Sequence, residues 1–378
     1  MKIIIDARMY GLENAGIGRY LINLINEIEK KDNKNIYLLL LRKKYFDNLK
    51  FTNKNFQKVL ADYQHYSLKE QILLPLQLIK LKGDLVHFPH FNVPLFWFGK
   101  YVVTIHDLIK HESRGMETTT RSPLAYWLKH LLYLLTVNHA VRKACWIITP
   151  SYFWKKELVK RYGLSENKIS VTYEGVADGL LSQKTNADPQ KILAKYNIQK
   201  PFIIYTGSLY PHKNVERLVK AVAIINQDLK LVIVCARNVF YQRFLQKIKE
   251  LKAEKFVNLV GFVPDKELAV IYKQAQALVF PSFWEGFGLP GLEAMGSGLP
   301  VIAAKASCLP EIYGQAALYF NPLDERELAE KIQRIRTDKK LREDLIKKGF
   351  DQVKKYSWSK MAKETLEIYE SCFSLRSH

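Results

Sequence analysis

Two glutamates stand eight residues apart in the run Pro281-Ser-Phe-Trp-Glu285-Gly-Phe-Gly-Leu-Pro290-Gly-Leu-Glu293. The apolar stretch Ala277–Pro281 reads as a strand, Gly286 and Gly288 as a turn, and Pro290 as the first position of a helix. A helix that begins directly after such a turn aims unpaired backbone N–H groups and its positive dipole end past the strand, which makes a seat for an anion. Glu285 in the turn and Glu293 one turn into the helix flank that seat rather than fill it. A diphosphate at the helix start, with one carboxylate on a sugar and the other on a ribose diol, is the chemistry that fits. A capped helix with solvated glutamates uses the same residues.

Three further places come directly after predicted strands. In Tyr205-Thr-Gly207-Ser208-Leu-Tyr-Pro-His-Lys213-Asn214, Lys213 sits at a helix mouth. It is either a point charge for a phosphate or a surface lysine beside an asparagine cap. His106 closes Tyr101-Val-Val-Thr-Ile-His106 at a strand end, as a site residue or as a satisfied loop histidine. Asn14-Ala-Gly16-Ile-Gly18-Arg19 lies between the first strand and first helix, where Gly16 serves close approach to a phosphate or a tight turn. His87 and His90 have no acidic partners at ligand spacing, and the chain lacks H-x-x-x-H, D-x-D between strands and any cysteine cluster. No metal and no cofactor are expected.

These residues need a scaffold that brings strand ends together. Short apolar runs at Lys2–Asp6, Ile36–Leu41, Gln57–Ala61, Asp84–Phe88, Tyr101–Ile105, Trp146–Thr149 and Ile169–Thr172 alternate with helical patterns such as Gly18–Lys30, Leu68–Lys82, Pro123–Lys143 and Ser151–Tyr162. The chain turns polar from Gly179 to about Lys200, which reads as a linker. Strands then resume at Phe202–Thr206, Lys230–Cys235, Phe256–Val260, Ala277–Pro281, Pro300–Ala303 and Ala317–Phe320, with helices after them at Glu325–Arg336, Lys339–Lys355 and Ser357–Phe373. Continuous apolar strands separated by helices predict parallel sheets covered on both faces. The fold class is therefore α/β, with two Rossmann-like domains facing across a cleft and ligands bound beyond the strands' C-terminal ends.

Composition excludes several classes. The 378 residues are 48% hydrophobic and 25% charged, the balance of a folded globular protein. Net charge is +21, spread evenly: 27 basic against 16 acidic side chains in residues 1–180, and 31 against 21 in residues 181–378. A nucleic-acid module concentrates its excess on one arm or helix, so no nucleic acid is expected. An even excess suits phosphorylated ligands, an anionic membrane surface or plain solubility. Cys145, Cys235, Cys308 and Cys372 lie far apart, which predicts no disulfide framework and fits a reducing, cytoplasmic compartment. The apolar run Leu124–Val141 is broken by Lys129 and His130, too polar to span a bilayer. Together with the basic, aromatic residues Tyr126, Trp127 and Lys129 and the helix Leu68–Lys82, it suggests peripheral contact with an anionic membrane and a lipid-carried saccharide.

The chain resembles retaining GT-B nucleotide-sugar glycosyltransferases of the family 4 type. The E-x7-E spacing of Glu285 and Glu293 carries the resemblance, supported by Thr149-Pro-Ser151, Tyr173-Glu-Gly175-Val, Gly207-Ser-Leu-Tyr-Pro-His-Lys213-Asn, Gly261-Phe-Val-Pro264 and Leu309-Pro-Glu311. It implies an acceptor domain at 1–180, a donor domain at 181–356, and a helix 357–378 packing back on the first domain. It implies that Glu293 binds the ribose, that Glu285 and the backbone at Phe287 and Gly288 meet the transferred sugar, that Lys213 neutralises the diphosphate with Gly16 approaching the phosphates from the first domain, and that Gly207, Ser208, Gly286 and Leu289 belong to the donor-binding set. His106 is implied at the donor sugar, and Phe262 and Val263 beside the base. Many relatives carry an arginine where this chain has Ser208. The implied activity is metal-independent, retaining transfer of a hexose from a nucleotide-sugar donor, GDP-mannose first and UDP-sugars second, to a saccharide or lipid-linked saccharide. A phosphorylase or epimerase of similar fold, or a nucleotide-binding protein without catalysis, are the competing readings.

Overall fold

The computed structural model describes residues 1–115, 118–119, 122–176, 188–225, 228–235 and 239–374. The chain forms two compact units. Unit 1 comprises Met1–Leu108, Arg121–Gly175 and Ser357–His378, and unit 2 comprises Ile109–Thr120 and Val176–Tyr356.

Unit 1 is built on a seven-stranded sheet of order β3-β2-β1-β4-β5-β6-β7. Its strands are β1 (Lys2–Ile5), β2 (Ile36–Leu41), β3 (Phe56–Leu60), β4 (Leu85–Phe88), β5 (Tyr101–Thr104), β6 (Trp146–Thr149) and β7 (Ile169–Val171), and every pairing is parallel. Ile3, Ile4 and Ile5 are wholly buried, as are most residues of β2, β4 and β5. This is why these strands read as unbroken apolar runs and not as alternating ones. The strand order reverses between β1 and β4. With the right-handed crossovers that parallel strands almost always use, such a reversal puts connecting helices on both faces of a sheet. The helix Trp358–Ser374 belongs to this unit, packs on Ala15–Lys31, and places Tyr369 in the core.

Unit 2 carries a six-stranded sheet of order β10-β9-β8-β11-β12-β13. The strands are β8 (Phe202–Thr206), β9 (Lys230–Val234), β10 (Val257–Gly261), β11 (Leu278–Phe280), β12 (Val301–Ala304) and β13 (Ala317–Phe320), again all parallel. Here the order reverses between β8 and β11.

Two expectations need correction. The polar stretch 179–200 is not a plain linker: Pro189–Lys195 is a helix, with Pro189 in its first turn and the Asp188 side chain accepting from the Gln190 N–H at 2.9 Å. Residues 177–187 lie outside the described part. Cys145 and Cys372 form a disulfide across 227 residues of sequence, with their Cα atoms 6.0 Å apart. Local spacing carries no trace of such a pair, and the cysteines no longer support a reducing compartment. Among the described residues no helix is long and apolar enough to cross a membrane.

Candidate active site

In unit 2 the strand order reverses between β8 and β11, and the candidate site is built from the segments just beyond the C-terminal ends of these two strands. The chain leaves β8 through Gly207, whose N–H donates to the Val234 carbonyl at 3.0 Å. The Tyr205 hydroxyl donates to the Ser208 carbonyl at 2.6 Å, fixing the turn. A short 3-10 turn, Pro211–Lys213, ends at Asn214 in the left-handed region, φ 56°. The Asn214 amide donates to the carbonyls of Pro281 at 3.1 Å and Pro322 at 2.9 Å, which pins this turn to the end of β11. Lys213 Nζ thereby reaches Glu285 Oε2 at 2.7 Å. Both side chains are largely buried, so the exposed-lysine and solvated-glutamate alternatives fall.

Glu285 is held from the other side by Ser307. Its N–H donates to Ser307 Oγ at 3.3 Å, and its carbonyl accepts from that hydroxyl at 3.1 Å and from Cys308 Sγ at 3.2 Å. Burial, then the nearby Glu285 charge, pushes the Cys308 thiol well up, so it stays a neutral donor. Burial, with the Lys213 charge beside it, pushes His212 down to about 3, which leaves Lys213 as the cation of this turn.

The helix Leu289–Gly296 starts at Gly288, φ 93°, with Pro290 in its first turn. A Cβ on Gly288 would lie 2.6 Å from the Tyr313 hydroxyl, and one on Gly291 2.3 Å from it. That hydroxyl donates to the Gly288 carbonyl at 2.6 Å. Glycine is required at both positions, and Tyr313 sets the aim of the helix start. Glu293 is buried one turn along, and Phe287 is buried edge-on to Tyr356. Gly286 and Leu289 are half-buried. Gly261 at the end of β10 leads to Phe262, which is exposed, and Val263, which is buried.

Unit 1 places His106 just beyond β5. One ring nitrogen, Nδ1, lies 3.2 Å from Glu174 Oε1, and Nε2 lies 3.1 Å from the Pro89 carbonyl. Tyr20 meets the ring edge-on, with centroids 4.8 Å apart. Pro89 comes after β4 and Glu174 after β7, so three strand ends fix this imidazole. Gly16 lies in the first turn of Ala15–Lys31, and a Cβ there would meet nothing within 4 Å. At Gly18 it would strike the Gly11 carbonyl, so Gly18 is a packing requirement and Gly16 is not.

The charged cluster at the β1–β4 reversal is absent from the sequence-based expectations. Arg8 is buried and donates to Asp6 Oδ1 and Oδ2 and to Glu70 Oε1, each at 2.7 Å. Asn92 donates to the same Glu70 oxygen at 2.8 Å, and Glu70 Oε2 accepts the Tyr66 N–H at 2.7 Å. Burial raises the Asp6 and Glu70 carboxyls, but Arg8 and the hydrogen bonds outweigh it and hold both below their ordinary range. Asp6 and Arg8 come directly after β1, and a position just past a strand end is the signal by which they could have been found. Among the described residues no group of three or more His, Cys, Asp or Glu side chains could hold a metal ion.

Comparison with known proteins agrees with the fold. Residues 15–179 match the profile described as Glycosyltransferase Family 4, and residues 188–352 the one described as Glycosyl transferases group 1. The O-antigen chain mannosyltransferase B of Escherichia coli is 26% identical over 98% of this chain and 100% of its own. The O-antigen chain mannosyltransferase RfbU of Salmonella typhimurium is 24% identical over 88% of this chain and 90% of its own. Among solved structures, Anabaena HepE in complex with UDP and glucose superposes with a TM-score of 0.73 at 18% identity, covering 98% of this chain and 99% of that one. Two parallel Rossmann-like sheets of this order, matched along nearly the whole length by these profiles, identify the chain as a GT-B glycosyltransferase of the group 1 family.

Proposed function

We propose that this enzyme transfers a hexose, mannose from GDP-mannose in the first instance, from a nucleoside-diphosphate sugar to a saccharide or lipid-linked saccharide, with retention and without a metal ion. The observation that carries the reading is the Lys213–Glu285 pair, 2.7 Å apart, beside the glycine-opened start of Leu289–Gly296. Cleavage of the sugar–phosphate bond leaves negative charge on the departing diphosphate and an oxocarbenium-like sugar. Lys213 and the positive dipole end of the helix that begins after Gly288 stabilise the first without reorganising. Glu285, fixed by Ser307 and Cys308, serves the sugar, and Glu293 serves the ribose diol. His106, held by Glu174 and the Pro89 carbonyl, serves the donor sugar, and Gly16 the phosphates. Retention then comes from attack by the acceptor on the face the diphosphate leaves.

The mannosyl choice is supported by the names of the two O-antigen relatives, and the nucleotide-sugar donor by UDP in the HepE structure. The test is incubation with GDP-mannose, UDP-glucose and ADP-glucose in EDTA, with and without acceptor oligosaccharides, following nucleotide release and the anomeric configuration of the product by NMR. GDP release and an α-linked product support the reading. Nucleotide binding without release from any donor leaves a binding protein, and activity restored only by magnesium or manganese removes the metal-free mechanism.

A further inference from the structure

The backbone at position 307 has φ 54°, a conformation that glycine adopts freely, yet the residue there is Ser307. Other side chains in this region have ordinary reasons to be there. Lys82 ends the helix Leu68–Leu81 at its left-handed cap, and Asn214 is of a type that tolerates the conformation. Ser307 ends no helix. It stands half-buried between β12 and the helix Leu309–Tyr313. Strain of this kind persists where the surrounding structure over-determines it, and it concentrates at functional sites.

The hydroxyl shows what the side chain supplies. It accepts the Glu285 N–H at 3.3 Å and donates to the Glu285 carbonyl at 3.1 Å. The N–H belongs to the peptide plane before Glu285 and the carbonyl to the plane after it, so one hydroxyl ties both. Cys308 Sγ reaches the carbonyls of Glu285 and Gly286 at 3.2 and 3.4 Å, so the grip on the N–H is what the serine adds. Glycine or alanine at 307 has no atom that could replace it.

This hold is complementary to the one from Lys213. In the sheet of unit 2, β11 lies between β8 and β12. From the β8 side Lys213 takes the Glu285 carboxylate at 2.7 Å, and from the β12 side Ser307 takes the backbone. In the transfer reaction Lys213 has a second claimant, the departing diphosphate. A cation shared with that diphosphate holds the carboxylate less firmly. The grip of a neutral hydroxyl on the backbone does not depend on where the charge goes.

We propose that Ser307 is a positioning residue for the transfer step: it keeps Glu285 at the sugar while Lys213 turns to the diphosphate, and the strained backbone is retained for the sake of that hydroxyl. The inference rests on the roles given to Glu285 and Lys213 above. It makes a chain with glycine at 307 the more relaxed one and the poorer catalyst.

The test compares Ser307→Gly and Ser307→Ala with the parent. Both lack the hydroxyl, and only the glycine relieves the backbone. Without any ligand, hydrogen exchange at the Glu285 amide, read by NMR, should be about tenfold faster in both. Ser307→Gly should melt at a higher temperature than Ser307→Ala. With GDP-mannose, UDP-glucose or ADP-glucose, whichever the parent turns over, kcat should fall about tenfold or more in both variants. Affinity for the matching nucleoside diphosphate, which carries no sugar, should stay at the parent value. Parent-level exchange at Glu285 in both variants would overturn the hold, and equal melting temperatures would overturn the strain. Parent-level kcat in Ser307→Gly, or equal losses of kcat and nucleotide affinity, would overturn the positioning role. A parent that turns over none of the donors removes the transfer reaction and this role with it. The exchange result still reports on the hold in that case, so the two failures are told apart.

Discussion

Lys213 and Glu285, 72 residues apart in sequence, meet at 2.7 Å because each comes after one of the two strands that flank the reversal of order in unit 2. The pair is mostly shielded from water, and two different roles can be separated by substitution. Lys213→Ala strands a buried carboxylate and should cost about 3 kcal/mol of stability. It should also lower kcat/KM for the donor by about a hundredfold or more. Lys213→Met combined with Glu285→Gln removes both charges at similar volume, and should recover most of the stability and none of the rate. Denaturant melts and donor turnover measure the two effects. A rate that returned with stability would reduce the pair to a structural bridge.

Glu293 is buried within the helix that Gly288 opens. If its carboxylate accepts from the ribose diol, Glu293→Gln should weaken nucleoside-diphosphate binding about tenfold and Glu293→Ala more. The informative comparison is calorimetry with the 2′,3′-dideoxy nucleotide. Parent and variant should then bind alike. A loss of the same size with both nucleotides would place Glu293 away from the diol.

His87 supplies a pH dependence. It is wholly buried, between the Tyr369 hydroxyl at 2.6 Å and Thr104 Oγ1 at 2.8 Å. Burial, with the neighbouring His106 charge, pushes it from 6.5 down to about 3. A histidine whose folded value is depressed takes up its proton more readily when unfolded. Stability is therefore full above about pH 6.5 and declines as pH falls toward 3. Urea melts should show a loss of about 2 kcal/mol from pH 7.5 to 5.0 that His87→Asn lacks. Equal slopes for parent and variant would refute this assignment.

The Asp6–Arg8–Glu70 cluster should respond in the opposite direction once broken. In the parent both carboxyls sit below their ordinary 3.8 and 4.5, so their contribution is present at neutral pH and lost only in strong acid. Arg8→Met leaves two buried carboxylates without their cation, and should cost about 3–5 kcal/mol at pH 7. Their values then rise, and protonation relieves the strain. The gap between variant and parent should accordingly narrow from pH 7 to 5, measured by thermal melts. A gap that stayed constant would mean that the loss is one of packing alone.

Much of this scaffold is legible in the chain. The thirteen described strands lie within one residue of their apolar runs, and the central ones are the plainest, because strands buried on both faces cannot conceal their composition. Glu285, Glu293 and Lys213 stand out because parallel sheets bind ligands just beyond their strand ends, and these residues occupy such places. The same criterion at the end of β1 reaches Asp6 and Arg8. Their partner is hidden, since Glu70 lies three residues after Ser67 and looks like an ordinary helix-capping acid. Glu174 shows in the sequence only as part of a short motif, because its contact with His106 depends on which strand ends adjoin. Strand order, and with it every contact across a reversal, is a property of long-range pairing that local periodicity does not encode. The disulfide between Cys145 and Cys372 is illegible for the same reason.

The helix Trp358–Ser374 gives Tyr369 to His87 and Cys372 to Cys145, so the first seven strands lack part of their interior until residues 358–374 have been synthesised. On the ribosome, unit 2 can close while unit 1 is still waiting for its final piece, which inverts the usual first-made, first-folded sequence. A stop codon or a frameshift just before residue 358 would thus spare the unit completed immediately before the break and strike the unit begun first.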